Sequence, residues 1–324
     1  MSLPEPLCES TKNDYIYSST MDTCGEFYEM FQTQLSCLWT AQEIDMANDK
    51  QVFNNQLNKD ERHFFSMILA FFASADAIVS LNIEINFIHD FPSQIIRSCY
   101  AAQNMFEYLH GDTYSRLIEA TIPDRKEQQR LFNAVENIPS INQKYEFMQK
   151  WITCGCPLQY RLCGYIISEG LFFSGSFCAI YWNKNKGGKK ALPGLCSANE
   201  FIARDEGLHC KFGVALYNRL KNRLSIKQAH EMFARSVEIE TEFINEALPC
   251  RLIGMNADLM TQYIQYVADF WLSEMKYPKI FFVEQPFPFM DSISIESKTN
   301  FFEHRPSQYA RAEVTTVFDF DDDF

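Results

Sequence analysis

Apolar residues recur at intervals of three or four along most of the chain, which is the pattern of helices with one buried face. The pattern begins near residue 24, continues to residue 275, and is interrupted by short polar or proline-containing stretches. It predicts helices over residues 24–38, 60–88, 92–120, 124–138, 143–152, 157–182, 197–220, 225–248 and 256–275. No internal repeat or strand-rich region accompanies them. We therefore predict an all-α bundle of about eight long helices.

The two ends of the chain lack this periodicity. Residues 1–22 are mostly polar, and helical spacing is lost after Pro278. Inside the periodic region, Thr40 and Glu43 have the spacing of a capping box, which predicts a helix start there. We predict a flexible N-terminal segment over 1–22, one helical domain over 23–285, and a flexible C-terminal tail over 286–324.

Composition and charge exclude several classes of protein. The chain is 47% apolar and carries a net charge of −13. An acidic chain without a basic stripe is not expected to bind nucleic acid. Its first twenty residues lack the pattern of a secretory signal, and no uninterrupted apolar stretch reaches the roughly 18 residues of a membrane span. We expect a cytoplasmic protein that does not bind membranes.

The eleven cysteines are scattered through apolar helical segments. An odd count without regular spacing indicates reduced thiols in a cytosolic interior rather than a disulfide framework. Cys154 and Cys156 form the closest pair, but no second close pair lies nearby to complete a zinc site. The cysteines are therefore not expected to carry the chemistry.

Two Glu-x-x-His motifs lie in predicted helices, at Glu107 with His110 and at Glu206 with His209. Residues three apart share one face of a helix, so each motif directs a carboxylate and an imidazole to the same side. With six histidines in the chain, average composition gives about 0.4 such motifs by chance. A dimetal carboxylate site in a helical bundle uses two of these motifs and one carboxylate from each of two further helices.

Asp76 and Glu169 are the candidates for the two remaining carboxylates, because each lies among apolar neighbours in a strongly apolar helix. A carboxylate in such a place must be paired, protonated or bound to a metal, since an isolated buried charge costs many kcal/mol. Either one alone could equally bind an arginine or a backbone donor. Together with the two motifs, they favour a metal site.

The predicted ligand set thus contains four carboxylates and two imidazoles. Its members are Asp76, Glu107, His110, Glu169, Glu206 and His209. Hard oxygen and borderline nitrogen donors suit a pair of iron or manganese ions better than zinc or copper, and they do not distinguish iron from manganese. Such a site in a dry core is suited to oxygen chemistry.

Tyr114 lies one helical turn beyond His110, so its ring is expected within several Å of the nearer metal. One-electron oxidation of the phenol to a tyrosyl radical is then a realistic reaction, provided that water and reductants are excluded. Phe173, Phe177 and Ile202 lie at helical intervals from the predicted ligands and could form the wall of such a pocket. Without the metal site, all four residues would be interpreted as ordinary core.

Three phenylalanines, Phe318, Phe320 and Phe324, alternate with aspartates at the end of the chain. A flexible peptide with apolar anchors and negative charge suits docking in a groove with a basic rim. The charges alone would also fit a solvated terminus, but exposed phenylalanines are unfavourable unless a partner covers them. We therefore expect the tail to bind a separate protein.

Several motifs follow one another in order, namely LWTAQEID, LAFFASADAIV, EYLHGDTY, EGLFFSGSF, LPGLCSANEFIARDEGLHC, FFEHRPSQYAR and FDFDDDF. Together they resemble the small, radical-generating subunit of class I ribonucleotide reductase, of the eukaryotic and large-virus type. The resemblance extends from Trp39 to Phe324 and so covers nearly the whole chain.

This resemblance implies a ferritin-like fold, the same six metal ligands, and Tyr114 as the radical residue. It also implies a radical relay through Trp39, Asp205 and Tyr309. The cofactors would be two iron ions per subunit with an oxygen-derived oxo bridge, and a tyrosyl radical. The small subunit would be a homodimer. A separate large subunit, docked on the C-terminal tail, would use the radical to reduce ribonucleoside diphosphates to deoxyribonucleotides for DNA synthesis.

Other interpretations use the same residues. Apart from the resemblance, Trp39 would be a half-buried helix anchor, and Asp205 either an exposed residue or an acceptor for a ligand imidazole. A diiron oxygenase or oxidase would share the six ligands without a relay. A non-catalytic, iron-binding partner subunit would keep the bundle without a working tyrosine. Tyr114 and the phenylalanine-containing tail favour the reductase subunit over both.

Overall fold

The computed structural model describes residues 5–12, 14, 15, 17, 25–185, 192–248 and 255–290. Within these ranges the protein is helical and contains no β-strand, so the all-α prediction is confirmed. The helices are α1 Gly25–Ser36, α2 Asp49–Asn55, α3 Lys59–Asn82, α4 Gln94–Thr121, α5 Arg125–Phe132, α6 Ala134–Asn137, α7 Pro139–Thr153, α8 Leu158–Ile167, α9 Ser174–Asn185, α10 Pro193–Arg219, α11 Ile226–Ala247 and α12 Ala257–Glu274.

Polar side chains cap several of the helix starts. The predicted capping box is present at the 3-10 turn Ala41–Glu43, where the Thr40 N–H donates to Oε1 of Glu43 at 3.1 Å. Asn58 and Ser225 form the same kind of box at the starts of α3 and α11. Because each box satisfies backbone N–H groups that have no partner inside the helix, it stabilises the helix where it begins.

Two of the predicted long helices contain wide turns. α3 continues through a π-helical segment at Ile83–Phe87 to a last turn at Ile88–Asp90, and a second π-helical segment at Ser168–Phe172 joins α8 to α9. The sequence predicted continuous α-helices over both stretches, because a segment that is apolar on all sides does not reveal a change of period. π-helical turns occur frequently at functional sites. The second of these turns contains Glu169.

α3 and the rod formed by α8 and α9 contain the most apolar sequence of the bundle. Although neither contains an uninterrupted apolar stretch of 18 residues, both Lys59–Asp90 and Leu158–Lys184 are long and apolar enough by composition to cross a membrane, with mean hydropathies of 2.0 and 1.3 over their most apolar parts. The structure buries 78% and 100% of these parts inside the protein. That is the environment of core helices, and length and composition alone do not make them membrane spans.

Cys154 and Cys156 form a disulfide in the turn between α7 and α8, where the sequence predicted reduced thiols. Gly155 between them has a φ of 59°, in the left-handed region that glycine adopts without strain, so the turn brings the two sulfurs together. The other cysteines among the described residues are free, and most of them are buried. The prediction is therefore correct for the core and wrong for this turn.

The chain divides into a compact unit over residues 1–287 and a second unit over residues 288–324. The first unit contains all the helices named above. Tyr309 and the tail residues Phe318, Phe320 and Phe324 lie outside the described residues. Their roles, and the flexibility of both ends of the protein, stay predictions.

Candidate metal centre

Six acidic and imidazole side chains converge in the interior of the bundle. Asp76 comes from α3, Glu107 and His110 from α4, Glu169 from the π turn, and Glu206 and His209 from α10. All six residues are at most 2% exposed. The sequence predicted this set from two Glu-x-x-His motifs and two carboxylates in apolar helices, and the structure brings all its members together.

The ligand atoms form two groups, within each of which the atoms lie at most 4.8 Å apart. One group contains Glu107, Glu169, Glu206 and His209, and the other contains Asp76, Glu107 and His110. Because Glu107 belongs to both groups, its carboxylate lies where it could bridge two cations. The arrangement therefore provides two adjacent metal positions rather than one.

The imidazoles lie against the carboxylates at the centre of the cluster. Nδ1 of His209 is 3.1 Å from Oε1 of Glu107 and 3.1 Å from Oε2 of Glu206. Nδ1 of His110 is 3.0 Å from Oε1 of Glu206, although neither atom has the geometry of a hydrogen bond. Nitrogen and oxygen atoms at these separations can share a cation.

Each of the six ligand residues has at least one buried polar atom without a hydrogen-bond partner among the described residues. These atoms are Asp76 Oδ1 and Oδ2, Glu107 Oε2, His110 Nδ1, Glu169 Oε2, Glu206 Oε1 and His209 Nε2. An unsatisfied buried polar atom costs free energy, and so many in one place require a ligand. At Asp76 no described arginine or backbone donor satisfies the carboxylate, which leaves a metal as the better explanation. The donor set fits two divalent cations.

The electrostatics of the cluster favour bound cations. Burial raises the pKa of Asp76, and the charge of Glu107 raises it further. Burial and the charges of Glu206 and Glu107 also raise the pKa of Glu169 well above its ordinary value. Four carboxylates in one dry space repel one another, so they need protons or cations to be stable. Two divalent cations would neutralise all four charges.

Tyr114 is fully buried, and its hydroxyl has no hydrogen-bond partner among the described residues. Burial raises the pKa of Tyr114 well above 10, and the charge of Asp76 adds to the shift. The phenol is therefore protonated at neutral pH. Tyr114 lies on α4, the helix that also carries Glu107 and His110.

A layer of aromatic rings, here called the aromatic wall, covers one face of the Tyr114 ring. Phe72 stacks on this ring with centroids 4.5 Å apart, and Phe173 and Phe177 pack on Phe72 at 5.6 and 5.2 Å. Ile202 is fully buried. The sequence named Phe173, Phe177 and Ile202 but missed Phe72, whose position four residues before Asp76 was the available signal.

Trp39, Asp205 and His110 form a continuous series of polar contacts that ends at the cluster. Trp39 is only 3% exposed, so it is more deeply buried than a half-buried anchor. Its Nε1–H donates to Oδ2 of Asp205 at 2.8 Å, and the same oxygen lies 3.2 Å from Nε2 of His110. Arg204 donates two hydrogen bonds to the other Asp205 oxygen, at 3.0 and 2.8 Å. Asp205 is thus a buried acceptor, and sequence reasoning missed Arg204.

Gln103 is a further residue at the site that the sequence analysis missed. Its Nε2 donates to Oε1 of Glu107 at 3.2 Å and to Oε1 of Glu169 at 3.1 Å, and its Oε1 accepts from the Tyr165 hydroxyl at 2.7 Å. Gln103 and Tyr165 each lie four residues before a ligand, which is the spacing that could have revealed them. These bonds orient two of the ligand carboxylates.

Comparison with known proteins agrees with this geometry. Residues 22–288 match the family described as ribonucleotide reductase, small chain. The small chain of ribonucleoside-diphosphate reductase from Nicotiana tabacum is 41% identical over 308 residues, covering 92% of both sequences. Subunit M2 of ribonucleoside-diphosphate reductase from Mesocricetus auratus is 42% identical over 305 residues, covering 92% of this protein and 77% of that one.

A solved structure shares the fold. The ribonucleotide reductase Rnr4 homodimer from Saccharomyces cerevisiae superposes with a TM-score of 0.77 at 26% identity, covering 90% of this protein and 92% of that one. This likeness confirms the predicted ferritin-like helical fold. Fold and sequence agree over nearly the whole described bundle, and the chain belongs to the ribonucleotide reductase small chain family.

Proposed function

We propose that this chain is the small subunit of a ribonucleoside-diphosphate reductase. It would hold two metal ions in the six-residue cluster and store an oxidising equivalent on Tyr114. The observation that carries the proposal is the set of buried ligand atoms without hydrogen-bond partners, arranged in two groups that share Glu107. Because the chain belongs to the ribonucleotide reductase small chain family, we propose that the site serves that reductase.

Iron is the proposed metal, bound by Asp76, Glu107, His110, Glu169, Glu206 and His209. When bound, the two iron ions and dioxygen supply the one-electron oxidation that converts the Tyr114 phenol to a tyrosyl radical. The protein contributes a buried site, four carboxylates to balance the cationic charge, and Gln103 to orient Glu107 and Glu169. Manganese would fit the same donors.

The surroundings of Tyr114 suit storage of a radical. The ring is fully buried and stacks on Phe72, and the hydroxyl donates to no described residue. Reductants and water reach such a phenol only if the aromatic wall opens. The radical is therefore expected to persist while the bundle stays closed.

Trp39 and Asp205 are the proposed path by which the oxidising equivalent leaves the site. The indole Nε1–H donates to Oδ2 of Asp205, so the proton of an oxidised Trp39 has an acceptor at that atom. The same oxygen lies against Nε2 of His110, and Arg204 holds the other oxygen. Tyr309 is the proposed next residue of the relay, at the junction with the large subunit.

The proposed partners are a separate large subunit and a second copy of this protein. The large subunit would bind Phe318, Phe320 and Phe324 of the tail and reduce ribonucleoside diphosphates to deoxyribonucleotides. Both subunits would work in the cytoplasm. These partner assignments rest on the family, since the tail lies outside the described residues.

An exposed apolar patch supports the homodimer. Leu81 and Ile85 on the α3 rod and Met105 and Tyr108 on α4 are each between 42% and 61% exposed. Glu84 accepts hydrogen bonds from Asn104 and Tyr108, so the two helices lie side by side at this position. Exposed apolar side chains on neighbouring helices mark a protein interface. We propose this patch as part of the dimer contact.

Anaerobic loading with ferrous iron followed by exposure to air tests the proposed chemistry. A sharp tyrosyl absorption band and a radical resonance signal are expected to appear. Tyr114→Phe should abolish both signals, because no oxidisable phenol is left at that position, while the variant still binds iron. The same radical signal in Tyr114→Phe would refute the assignment.

A further inference from the structure

A buried ion pair lies in the core outside the metal centre. Lys144 on α7 and Glu240 on α11 are both fully buried, and Nζ of Lys144 lies 2.6 Å from Oε2 of Glu240. The ammonium also lies 3.3 Å from the ring centroid of Phe71 and 4.1 Å from that of Phe243. Two desolvated charges rarely add net stability compared with apolar residues of the same size. Their presence here calls for another explanation.

The ion pair contacts the π turn that carries Glu169. Nζ of Lys144 donates to the carbonyl oxygen of Phe172, the last residue of that turn, at 2.9 Å. Glu240, the other member of the pair, lies close to the backbone of Gly175 in the first turn of α9. A Cβ atom added at this glycine would lie only 2.8 Å from Oε1 of Glu240. Lys144 and Glu240 therefore hold the backbone where the π turn becomes α9.

Side-chain donors reach three successive carbonyls of this turn. Besides Lys144 at Phe172, Trp271 Nε1 donates to Gly170 O at 3.0 Å, and Ser174 Oγ donates to Leu171 O at 2.7 Å. An ordinary α-helix satisfies its carbonyls with backbone N–H groups and needs no such help. Of the three donors, only Lys144 is charged, and hydrogen bonds from charged donors are the stronger kind.

The pair also supports the wall around Tyr114. The ring of Phe71, directly under the ammonium, packs on Phe173 at 5.3 Å, and Phe173 packs on Phe72 at 5.6 Å. Phe72 in turn stacks on Tyr114. A continuous series of contacts thus runs from Lys144 to the radical residue, in addition to the bond to the π turn.

We propose that Lys144 and Glu240 are positioning residues for the metal centre, which hold the π turn so that Glu169 points at its metal. The pair touches neither metal nor substrate in the proposed enzyme, and acts through the Phe172 carbonyl and the Phe71 ring. The inference rests on the proposed function, because it assumes that Glu169 is a ligand. It predicts a local effect, confined to the ligand group that contains Glu169.

Titration of the full-length apoprotein with Mn²⁺ tests the proposal. The double variant Lys144→Met/Glu240→Leu removes both charges together, so no unpaired charge is left buried. We expect its affinity for one of the two Mn²⁺ ions to fall about tenfold, the size of effect seen when residues supporting a ligand are changed. The other ion, held mainly by Asp76 and His110, should bind as in the parent. The tyrosyl radical, formed with iron and air, should also decay faster.

Tyr277→Phe is the matched control for general destabilisation. It removes a buried hydroxyl that donates to the Leu224 carbonyl at 2.7 Å, outside the π turn. It should lower the melting temperature and leave both Mn²⁺ affinities unchanged. Parent-like binding of both ions by the double variant, or equal weakening of both, would overturn the inference.

A second double variant covers the case in which Lys144→Met/Glu240→Leu does not fold. Lys144→Met/Glu240→Gln also removes both charges together, keeps a side chain of the same shape as glutamate at position 240, and loses the donor to the Phe172 carbonyl. We expect it to weaken the same Mn²⁺ ion about tenfold. Parent-like affinity in Lys144→Met/Glu240→Gln would then count against the proposal. If the parent itself binds no Mn²⁺, the proposed function fails first, and the two failures are distinguishable.

Discussion

The interior of this protein contains two clusters of buried charge that differ in how the charge is balanced. Lys144 and Glu240 carry opposite charges and neutralise each other within 2.6 Å. The metal centre contains four carboxylates and two imidazoles, and it leaves several of their atoms without partners. The first cluster is closed, whereas the second needs charge from outside the protein.

The difference shows how a buried metal site can be distinguished from a buried ion pair even when no metal is bound. Burial alone does not separate them, because both clusters are fully enclosed. One separating feature is the net charge, which is balanced in the ion pair and strongly negative in the metal centre. The other is the number of buried atoms without a hydrogen-bond partner among the described residues, which is seven in the metal centre and two, both oxygens of Glu240, in the ion pair. The two clusters also differ in the groups that they contact. Asp205 links the metal centre to Trp39, whereas Lys144 of the ion pair donates to the backbone of the π turn.

The largest predicted effect concerns the closed cluster and its response to pH. Burial lowers the pKa of Lys144 to about 8 and raises the pKa of Glu240 to about 7, in each case against the opposite charge of the partner. The folded state therefore holds the Glu240 proton more tightly than the unfolded state, and the Lys144 proton less tightly. Stability from Glu240 is lost as pH rises from about 4.5 to 7, and stability from Lys144 is gained above pH 8.

Denaturant unfolding of the parent and of Lys144→Met/Glu240→Leu at a series of pH values measures this effect. The free energy of unfolding of the parent, relative to the double variant, should be lowest between pH 7 and 8. It should be higher near pH 4.5 by about 3 kcal/mol. Subtracting the double variant cancels the titration of all other groups. A difference that does not change with pH would contradict the assigned charge states.

Loss of the hydrogen bond between Trp39 and Asp205 is predicted to have the next largest effect, on turnover. Trp39→Phe removes the indole N–H that donates to Asp205 but retains a ring against Phe201 and His110. Turnover of the enzyme, measured with its large subunit, should fall about 100-fold or more, as expected when a positioned proton-transfer group is lost. The yield of tyrosyl radical should not change. The control is Trp151→Phe, the same change at a buried tryptophan outside the path, which should leave turnover unchanged.

The wall around Tyr114 gives the smallest predicted effect. Phe72→Leu keeps an apolar side chain but opens space beside the phenol, so the half-life of the radical should shorten about tenfold, equivalent to about 1.4 kcal/mol. Phe91→Leu removes a ring of equal burial that packs on Tyr100 instead. It should cost similar stability and leave the half-life unchanged. Equal half-lives in both variants would mean that the wall does not protect the radical.

The sequence predicted the ligand cluster better than its surroundings. Two Glu-x-x-His motifs and two carboxylates in apolar helices are local patterns, so the six residues could be found without knowing how the helices pack. Gln103 and Phe72 contact Glu169 and Tyr114 on other elements, and Arg204 holds its neighbour Asp205. Helical spacing places them on a face but does not say what that face meets.

The π turn and the ion pair were missed for related reasons. A π-helical segment inside a helix that is apolar on all sides leaves no mark on the hydrophobic pattern. Lys144 and Glu240 each fall on helices that also carry exposed charged residues, such as Lys150 and Glu238, and a charged residue is ordinarily exposed. Only the packing of α7, α11 and the π turn shows that these two charges face each other inside the core.

The central claim is that two cations occupy the six-residue cluster and share Glu107. Calorimetric titration of the apoprotein with Mn²⁺ tests it most directly, comparing the parent with Glu107→Gln and Asp76→Asn. The account predicts two ions per subunit for the parent, one for Asp76→Asn, and none for Glu107→Gln at concentrations that saturate the parent. A parent that binds a single ion, or a Glu107→Gln variant that still binds two, would contradict it.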